Sequence, residues 1–238
     1  MRLNRFLAHC GVSSRRKCDE IIFSGQVKVN GITVNTPGFT VNPEKDSVTV
    51  GGKIIIPESK VYIALNKPAN VLSTLKDDFG RKIITSLIEN VKERIYPVGR
   101  LDYDVEGIIL LTNDGELSNR LIHPRYKVVK TYIATVNGIF TDKKRKILEK
   151  GVEIDGKKTL PAKCRIIKSS LKESVVELKI REGRKRQVKN MFSEVGNPVK
   201  KLKRIKFGPV SLKNLESGKW RFLTKHEVRL LKKVTDLT

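Results

Sequence analysis

The segment 96–115 reads YPVGRLDYDVEGIILLTNDG, and its order of residue types decides how the chain is built. Gly99 marks a turn. Arg100-Leu101-Asp102 follow, then an acidic loop with Asp104 and Glu106. Ile108 to Leu111 make a four-residue apolar run that reads as a buried strand, closed by the Asn113-Asp114-Gly115 turn. A carboxylate on a turn at the entrance to a core strand is held rigidly, as a nucleophile must be. Local physics does not choose among Asp102, Asp104 and Glu106, since each also suits a capping or solvated acid.

Outward from this segment lie further apolar runs: VYIAL (61–65), TYIATV (131–136), SVVELKI (174–180) and KFGPVSL (206–212). Helical stretches are expected between them, near 83–91, 114–122, 142–150 and 185–195. The pattern predicts an α+β domain on one mixed, mainly antiparallel sheet with flanking helices. On a strand through 130–135, Lys130, Tyr132 and Ala134 share one face and Thr131, Ile133 and Thr135 the other.

The N-terminal segment reads helix, helix, hairpin. Leu3, Phe6 and Leu7 form an apolar helical face, and Gly11 ends that helix. Ser13 or Ser14 caps the next helix, Gly25 ends it, and Ile21, Ile22 and Phe23 supply its buried face. Asn30-Gly31 between short alternating runs predicts a tight hairpin turn. Residues 51–60, GGKIIIPESK, read as a linker. The expected division is 1–58 and 59–238.

Charge points to the partner. The 238 residues hold 49 Lys and Arg against 25 Asp and Glu, a net +24. Such a surplus attracts polyanions, and counterion release from nucleic acid favours their binding. Half of it lies in residues 181–238, with 17 basic groups against five acidic. No run of about 18 apolar residues predicts a membrane span, and arginines interrupt the N-terminus where a signal peptide would be apolar. Cys10, Cys18 and Cys164 have no disulfide or zinc spacing, so small buried thiols in a reducing cytoplasm are expected.

Longer motifs are more specific. RLNRFLAHCGVSSRRKCDEIIFSGQVKVNG (2–31) resembles an S4 RNA-binding module. GRLDYDVEGIILLTNDG (99–115), KTYIATVNG (130–138) and REGRKRQVKNMFSEVGNPVKKLKRIKFGPV (181–210) resemble, in order, the motifs of RsuA/RluB-type pseudouridine synthases of ribosomal RNA. The resemblance implies a small S4 domain followed by a synthase domain. It implies catalytic roles for Asp102 as nucleophile, Tyr132 as the stacking and proton-transfer residue, and Lys189 as the cation beside Asp102. It also implies substrate contacts from Arg100, Lys67 and Leu202. Arg2, Arg5, Arg15, Arg16, Lys17 and Lys28 are the expected RNA contacts of the first module. Arg15, Arg16 and Lys17 open a helix, where free N–H groups and the dipole favour phosphate.

Three departures from the family pattern occur. Asn70 stands where Gly is usual, Val105 where Thr is usual, and Asn190 where Arg is frequent. Asn tolerates the left-handed backbone region, so the turn at 70 survives.

The implied reaction isomerises uridine to pseudouridine, which needs neither cofactor nor metal. The expected partner is ribosomal RNA or a ribosomal precursor particle, with the large-subunit (23S) RNA favoured and a monomeric, cytoplasmic protein with no membrane association. Two alternatives keep the same motifs: the same reaction on 16S RNA, or a non-catalytic assembly factor that binds ribosomal RNA.

Overall fold

The computed structural model describes residues 1–237, which form two compact units. The first comprises Met1–Val61 with the short segments Val91–Ile95 and Asn113–Gly115. The second comprises Tyr62–Asn90, Tyr96–Thr112 and the chain from Glu116 onward.

The first unit contains α1 (Leu3–His9), α2 (Arg15–Phe23), β1 (Val27–Val29), β2 (Ile32–Val34), β3 (Val48–Val50) and β4 (Lys53–Ile54). Leu3, Phe6 and Leu7 are buried and pack with Cys18, Ile22 and the inward valines of the sheet. Ser14 takes the cap of α2, its Oγ accepting from the Lys17 N–H at 3.2 Å. Asn30 and Gly31 both have positive φ, +50° and +84°, the pair of angles that a tight β1–β2 hairpin requires. Two expectations fail here. Phe23 is 66% exposed, because it lies about 100° around the helix from the inward stripe of Cys18 and Ile22. The 51–60 stretch is partly structured: Gly51-Gly52 turn the chain so that β4 pairs antiparallel with β3. Glu58 then accepts from the Arg94 N–H, and Asn113 donates to the Ser59 carbonyl at 2.8 Å.

The second unit runs β5 (Tyr62–Lys67), β6 (Tyr96–Pro97), β7 (Glu106–Thr112), α3 (Gly115–Ile122), β8 (Lys130–Asn137), α4 (Asp142–Lys150), β9 (Glu153–Ile154) and β10 (Lys157–Lys158). It continues through β11 (Lys163–Ser169), β12 (Glu173–Ile180), α5 (Gln187–Glu194), β13 (Val199–Phe207), β14 (Val210–Ser211), β15 (Trp220–Phe222) and α6 (Lys225–Lys233). The main sheet has the order β11-β12-β8-β13-β7-β5-β15, with β6 added on β7 and β14 on β13. Among the described residues its pairings are antiparallel except β13 with β7, so the expected α+β class and mixed sheet are found. The 83–91 helix is not: only a 3-10 turn, Ile84–Leu87, forms there. Ile83, Ile84 and Thr85 are β-branched in succession, which disfavours helix, and Asn90 turns left-handed at φ +60°.

Ala64, Ile108, Leu110 and Phe207 of the sheet pack with Leu117 and Leu121 of α3 and Leu231 of α6. The tightest point in the sheet is the parallel crossing of β7 and β13, where Gly107 is the register partner of Arg204. Gly107 has φ +112°, and a Cβ there would lie 2.2 Å from the Arg204 carbonyl oxygen and 2.6 Å from its nitrogen. Both strain and overlap follow from any side chain at this position. Gly107→Ala is expected to lower unfolding free energy by about 3 kcal/mol or more in urea titrations. A loss under about 1 kcal/mol would show that the crossing can open.

Candidate active site

The sheet and two loops of the second unit enclose a cavity of about 630 Å³. Its floor follows from strand register. On β8, Tyr132 is opposite Leu178 of β12 and Arg204 of β13, while Lys130 is opposite Ile180 and Phe207. Directly paired residues point to the same side. Lys130, Tyr132, Ile180, Leu202, Arg204 and Phe207 accordingly line one cavity. Its walls are the 98–105 loop and the 182–189 stretch that leads into α5.

The 98–105 loop is clamped at both flanks. Leu101 and Val105 are buried, and the Val105 N–H returns to the Asp102 carbonyl at 3.1 Å. Ser73 Oγ donates to the Leu101 carbonyl at 2.9 Å, and the Leu101 N–H lies 3.2 Å from the same oxygen. Asn70 adopts the left-handed conformation at φ +60°, and its N–H donates to the Tyr103 carbonyl at 2.8 Å. The Asn-for-Gly departure therefore keeps the turn. At 105, the valine fills an apolar slot beside the loop rather than supplying a hydroxyl.

Of the three acids that local sequence left equivalent, Asp102 alone lines the cavity. It is half-buried and lines the same cavity as Tyr132 and Leu202. Asp104 is turned away and held by Lys189, whose Nζ lies 2.6 and 2.5 Å from its two carboxylate oxygens. That hydrogen bond holds the Asp104 carboxyl below its usual range. This corrects the expected pairing of Lys189 with Asp102. Lys189 lines the cavity, but its ammonium joins α5 to the acid two residues further along. Arg100 sits exposed at the rim, and Leu202 is buried in the floor.

Lys67 requires a second correction. It is 0% exposed and does not line the cavity. Its Nζ donates to the carbonyls of Pro68 (2.9 Å), Val71 (2.8 Å) and Tyr103 (3.2 Å). Lys67 therefore ties the 68–71 turn to the Asp102 loop and is not among the residues that line the cavity. Burial pushes its pKa down to about 8, an effect opposed by the nearby charges of Asp104, Glu106 and Asp102.

Sequence reasoning missed three residues of this region. Ser73, within VLSTL, carries no motif that announces a loop clamp. Lys130 was placed on the face of Tyr132 but given no role, and Arg204 was read only as part of a longer motif. Arg204 is 3% exposed, with Nε donating to the Ile108 carbonyl at 2.7 Å. A buried cation in a strand is the signal that singles it out, but burial is not readable from a run as basic as KKLKRIK.

In the first unit, Arg2, Arg15, Arg16 and Lys28 are exposed and Arg5 is half-buried. Lys17 is also exposed, but its ammonium is engaged by Glu20 at 2.5 Å. Cys18 and Cys164 are buried and Cys10 is half-buried. Burial pushes the Cys10 and Cys164 thiols up to about 12, so both are poor nucleophiles. Among the described residues, no helix is long and apolar enough to cross a membrane.

A family model for RNA pseudouridylate synthases matches residues 61–194, and one for the S4 domain matches residues 1–48. The chain belongs to the RNA pseudouridine synthase family. An uncharacterized RNA pseudouridine synthase of Aquifex aeolicus (strain VF5) is 46% identical over 238 residues, covering 100% of this chain and 96% of the relative. The ribosomal large subunit pseudouridine synthase B of Bacillus subtilis (strain 168) is 45% identical, covering 99% and 97%. A crystal structure of a pseudouridylate synthase superposes with TM-score 0.71 at 31% identity, over 97% of this chain and 99% of that one. The chain is thus a synthase with an N-terminal S4 domain, and its activity is the formation of pseudouridine in RNA.

Lys67 gives a test of how the synthase loop is held. Lys67→Met leaves three carbonyls without their donor and is expected to cost about 2–4 kcal/mol of stability. In the fraction that stays folded at low temperature, turnover should fall about 10- to 100-fold, because the loop loses its fixed geometry. RNA affinity should hold within about 3-fold in filter binding. Wild-type turnover in the folded variant would remove Lys67 from the loop's support.

Proposed function

We propose that this synthase isomerises a uridine of large-subunit ribosomal RNA and that Asp102 is its nucleophile. The observation that carries the reading is the position of Asp102. It is the acid of its loop that faces the cavity, and no side chain among the described residues forms an ion pair with it. A carboxylate left free on a clamped loop is ready to engage an electron-poor carbon. The large-subunit assignment is supported by the similarity to the ribosomal large subunit pseudouridine synthase B of Bacillus subtilis, which covers nearly the whole chain.

The chemistry follows from the cavity. The target uridine must leave its stack, at a cost of a few kcal/mol, before its C1′–N1 bond can be reached. Arg100 at the rim meets the displaced backbone. In the floor, the Tyr132 ring stacks on the uracil, and its hydroxyl is available for proton transfer at the base. Leu202 closes the apolar side of the base pocket. Lys189 acts at one remove: by tying Asp104 to α5 it fixes the far end of the loop and keeps a second carboxylate out of the pocket. Asp102 then assists rupture of C1′–N1, through C1′, through C6 or by taking a sugar proton. The uracil turns, C5 bonds to C1′, and a base removes the C5 proton. Atoms are conserved throughout, so no redox partner is consumed. Arg2, Arg5, Arg15, Arg16 and Lys28 of the S4 domain supply sequence-independent phosphate contacts.

The test uses ribosomal RNA labelled with tritium at uracil C5. Incubation with large-subunit RNA, with no cofactor added, is expected to release tritium, and Asp102→Asn should reduce release to background. Release from small-subunit RNA alone would move the substrate to the other subunit. No release from any ribosomal RNA or precursor particle would sink the reading.

A further inference from the structure

Two cations lie in the cavity floor, and among the described residues no carboxylate hydrogen bonds to either. Arg204 spends one nitrogen on the Ile108 carbonyl, and another lies a long 3.5 Å from the Tyr132 hydroxyl. Its remaining terminal nitrogen, Nη2, is buried with no hydrogen-bond partner. Lys130 is likewise buried, at 7% exposure. Its ammonium lies 5.5 Å from the centroid of the Phe207 ring, and the Arg204 guanidinium lies 5.1 Å from the same centroid. The nearest buried acid of the lining, Glu182, is already used. Its oxygens accept from the Leu160 N–H and from Gln187, and Arg184 lies 3.3 Å away. Removing a cation from water without a bonded anion is costly, and one aromatic face recovers only part of that cost. Burial, with Arg204 adding to it and the Glu182 charge opposing it, pushes the Lys130 pKa down to about 8. A floor built this way is complementary to a group that becomes negative inside the cavity.

The proposed reaction makes such a group. In each route open to Asp102, the electron pair passes into the base. When C1′–N1 breaks, the pair goes to N1 and spreads over O2 and O4; when C6 is attacked, it goes to the O4 enolate. We propose that Lys130 and Arg204 bind the carbonyl oxygens of the target uracil and stabilise the negative charge that develops on it. The charge is transient. It is discharged when C5 bonds to C1′ and the C5 proton leaves, so the cations return to their starting state. The role is that of preorganised donors aimed at developing charge. It rests on the reading of Asp102 given above.

The test compares wild-type protein with Lys130→Met, which keeps the stem against Phe207, and with Lys130→Arg, which keeps the charge. Arg204→Gln is the second site. Single-turnover tritium release at saturating enzyme should fall about 100-fold or more in Lys130→Met and Arg204→Gln. Lys130→Arg should keep most of the rate. RNA affinity should stay within about 3-fold, with an unchanged salt dependence. Weaker binding with the salt slope reduced by about one, and an unchanged rate at saturation, would assign the pair to a phosphate and overturn the proposal. A second arm uses RNA made with 5-fluorouridine, whose base is a better-stabilised anion. Fluorine at C5 leaves no proton to remove, so after C5 bonds to C1′ water adds across the N1=C6 bond, and this hydrated product is followed by its chromatographic shift. The Lys130→Met defect should shrink on this substrate; an equal defect on both would mean a packing role and overturn it. Failure of wild-type protein to release tritium overturns the reaction itself. Wild-type release that Asp102→Asn abolishes and Lys130→Met leaves intact overturns only the present inference.

Discussion

The parallel crossing of β7 and β13 admits no side chain at Gly107, and the site is assembled around that closeness. With the two backbones in van der Waals contact, Arg204 reaches over β7 to the Ile108 carbonyl at 2.7 Å. The same strand register sets Arg204 opposite Tyr132. One residue back along β13, at Lys203, the partner is Glu106, the first residue after the Asp102 loop. The Asp102 loop, Tyr132 and the buried guanidinium of Arg204 are thus tied to one crossing in the sheet. Moving any of them requires the strands to part, so the site has the rigidity of the core beneath it.

The loop itself shows how a short, polar segment acquires that rigidity. Leu101 and Val105 anchor its ends in apolar surroundings, while Ser73, Asn70 and Lys67 occupy its carbonyls or receive its N–H groups. A buried ammonium is a demanding solution. Lys67 is tolerated because three carbonyl dipoles converge on it and three acids of the neighbouring loop lie close enough to favour its charge. The arrangement places a fixed positive charge under the loop while Lys189 draws off Asp104 from the side. Asp102 is left as the acid of this loop that lines the cavity, while Asp104 is paired with Lys189.

Much of this was legible in the residues, but unevenly. The N-terminal helices and hairpin were readable because Leu3, Phe6, Leu7 and the Asn30-Gly31 turn carry local signals whose physics needs no distant partner. The β7 and β8 strands were readable from apolar runs and alternation. β11 was not: it lies at the sheet's edge, and with only Cys164 buried its side chains lack a two-residue period. α6 was also missed, although Thr224 and Glu227 form a capping box whose spacing stood in the sequence. The site divided in the same way. The family resemblance, not local pattern, put Tyr132, Leu202 and Asp102 at one site. The partners of Lys189 and Lys67 depend on contacts across 85 and 36 residues, respectively, and no local pattern encodes such distances.

Charge in this chain acts at two depths, and the distinction explains why a net +24 is compatible with a specific enzyme. Exposed groups such as Arg15, Arg16 and Arg100 sit in high dielectric, where salt screens them and their effect is collective attraction to phosphate. They concentrate RNA near the protein without choosing a nucleotide. Lys130 and Arg204 are in the opposite condition, buried in the sheet face with little water to screen them. There a charge is costly until an anion arrives, and its interaction with that anion is correspondingly stronger. A group that turns negative only during reaction meets the full strength of that interaction in the transition state and little of it in the bound substrate. If the proposed role of Lys130 and Arg204 holds, surface cations govern encounter and buried ones the barrier, so substitutions in the two sets separate affinity from rate.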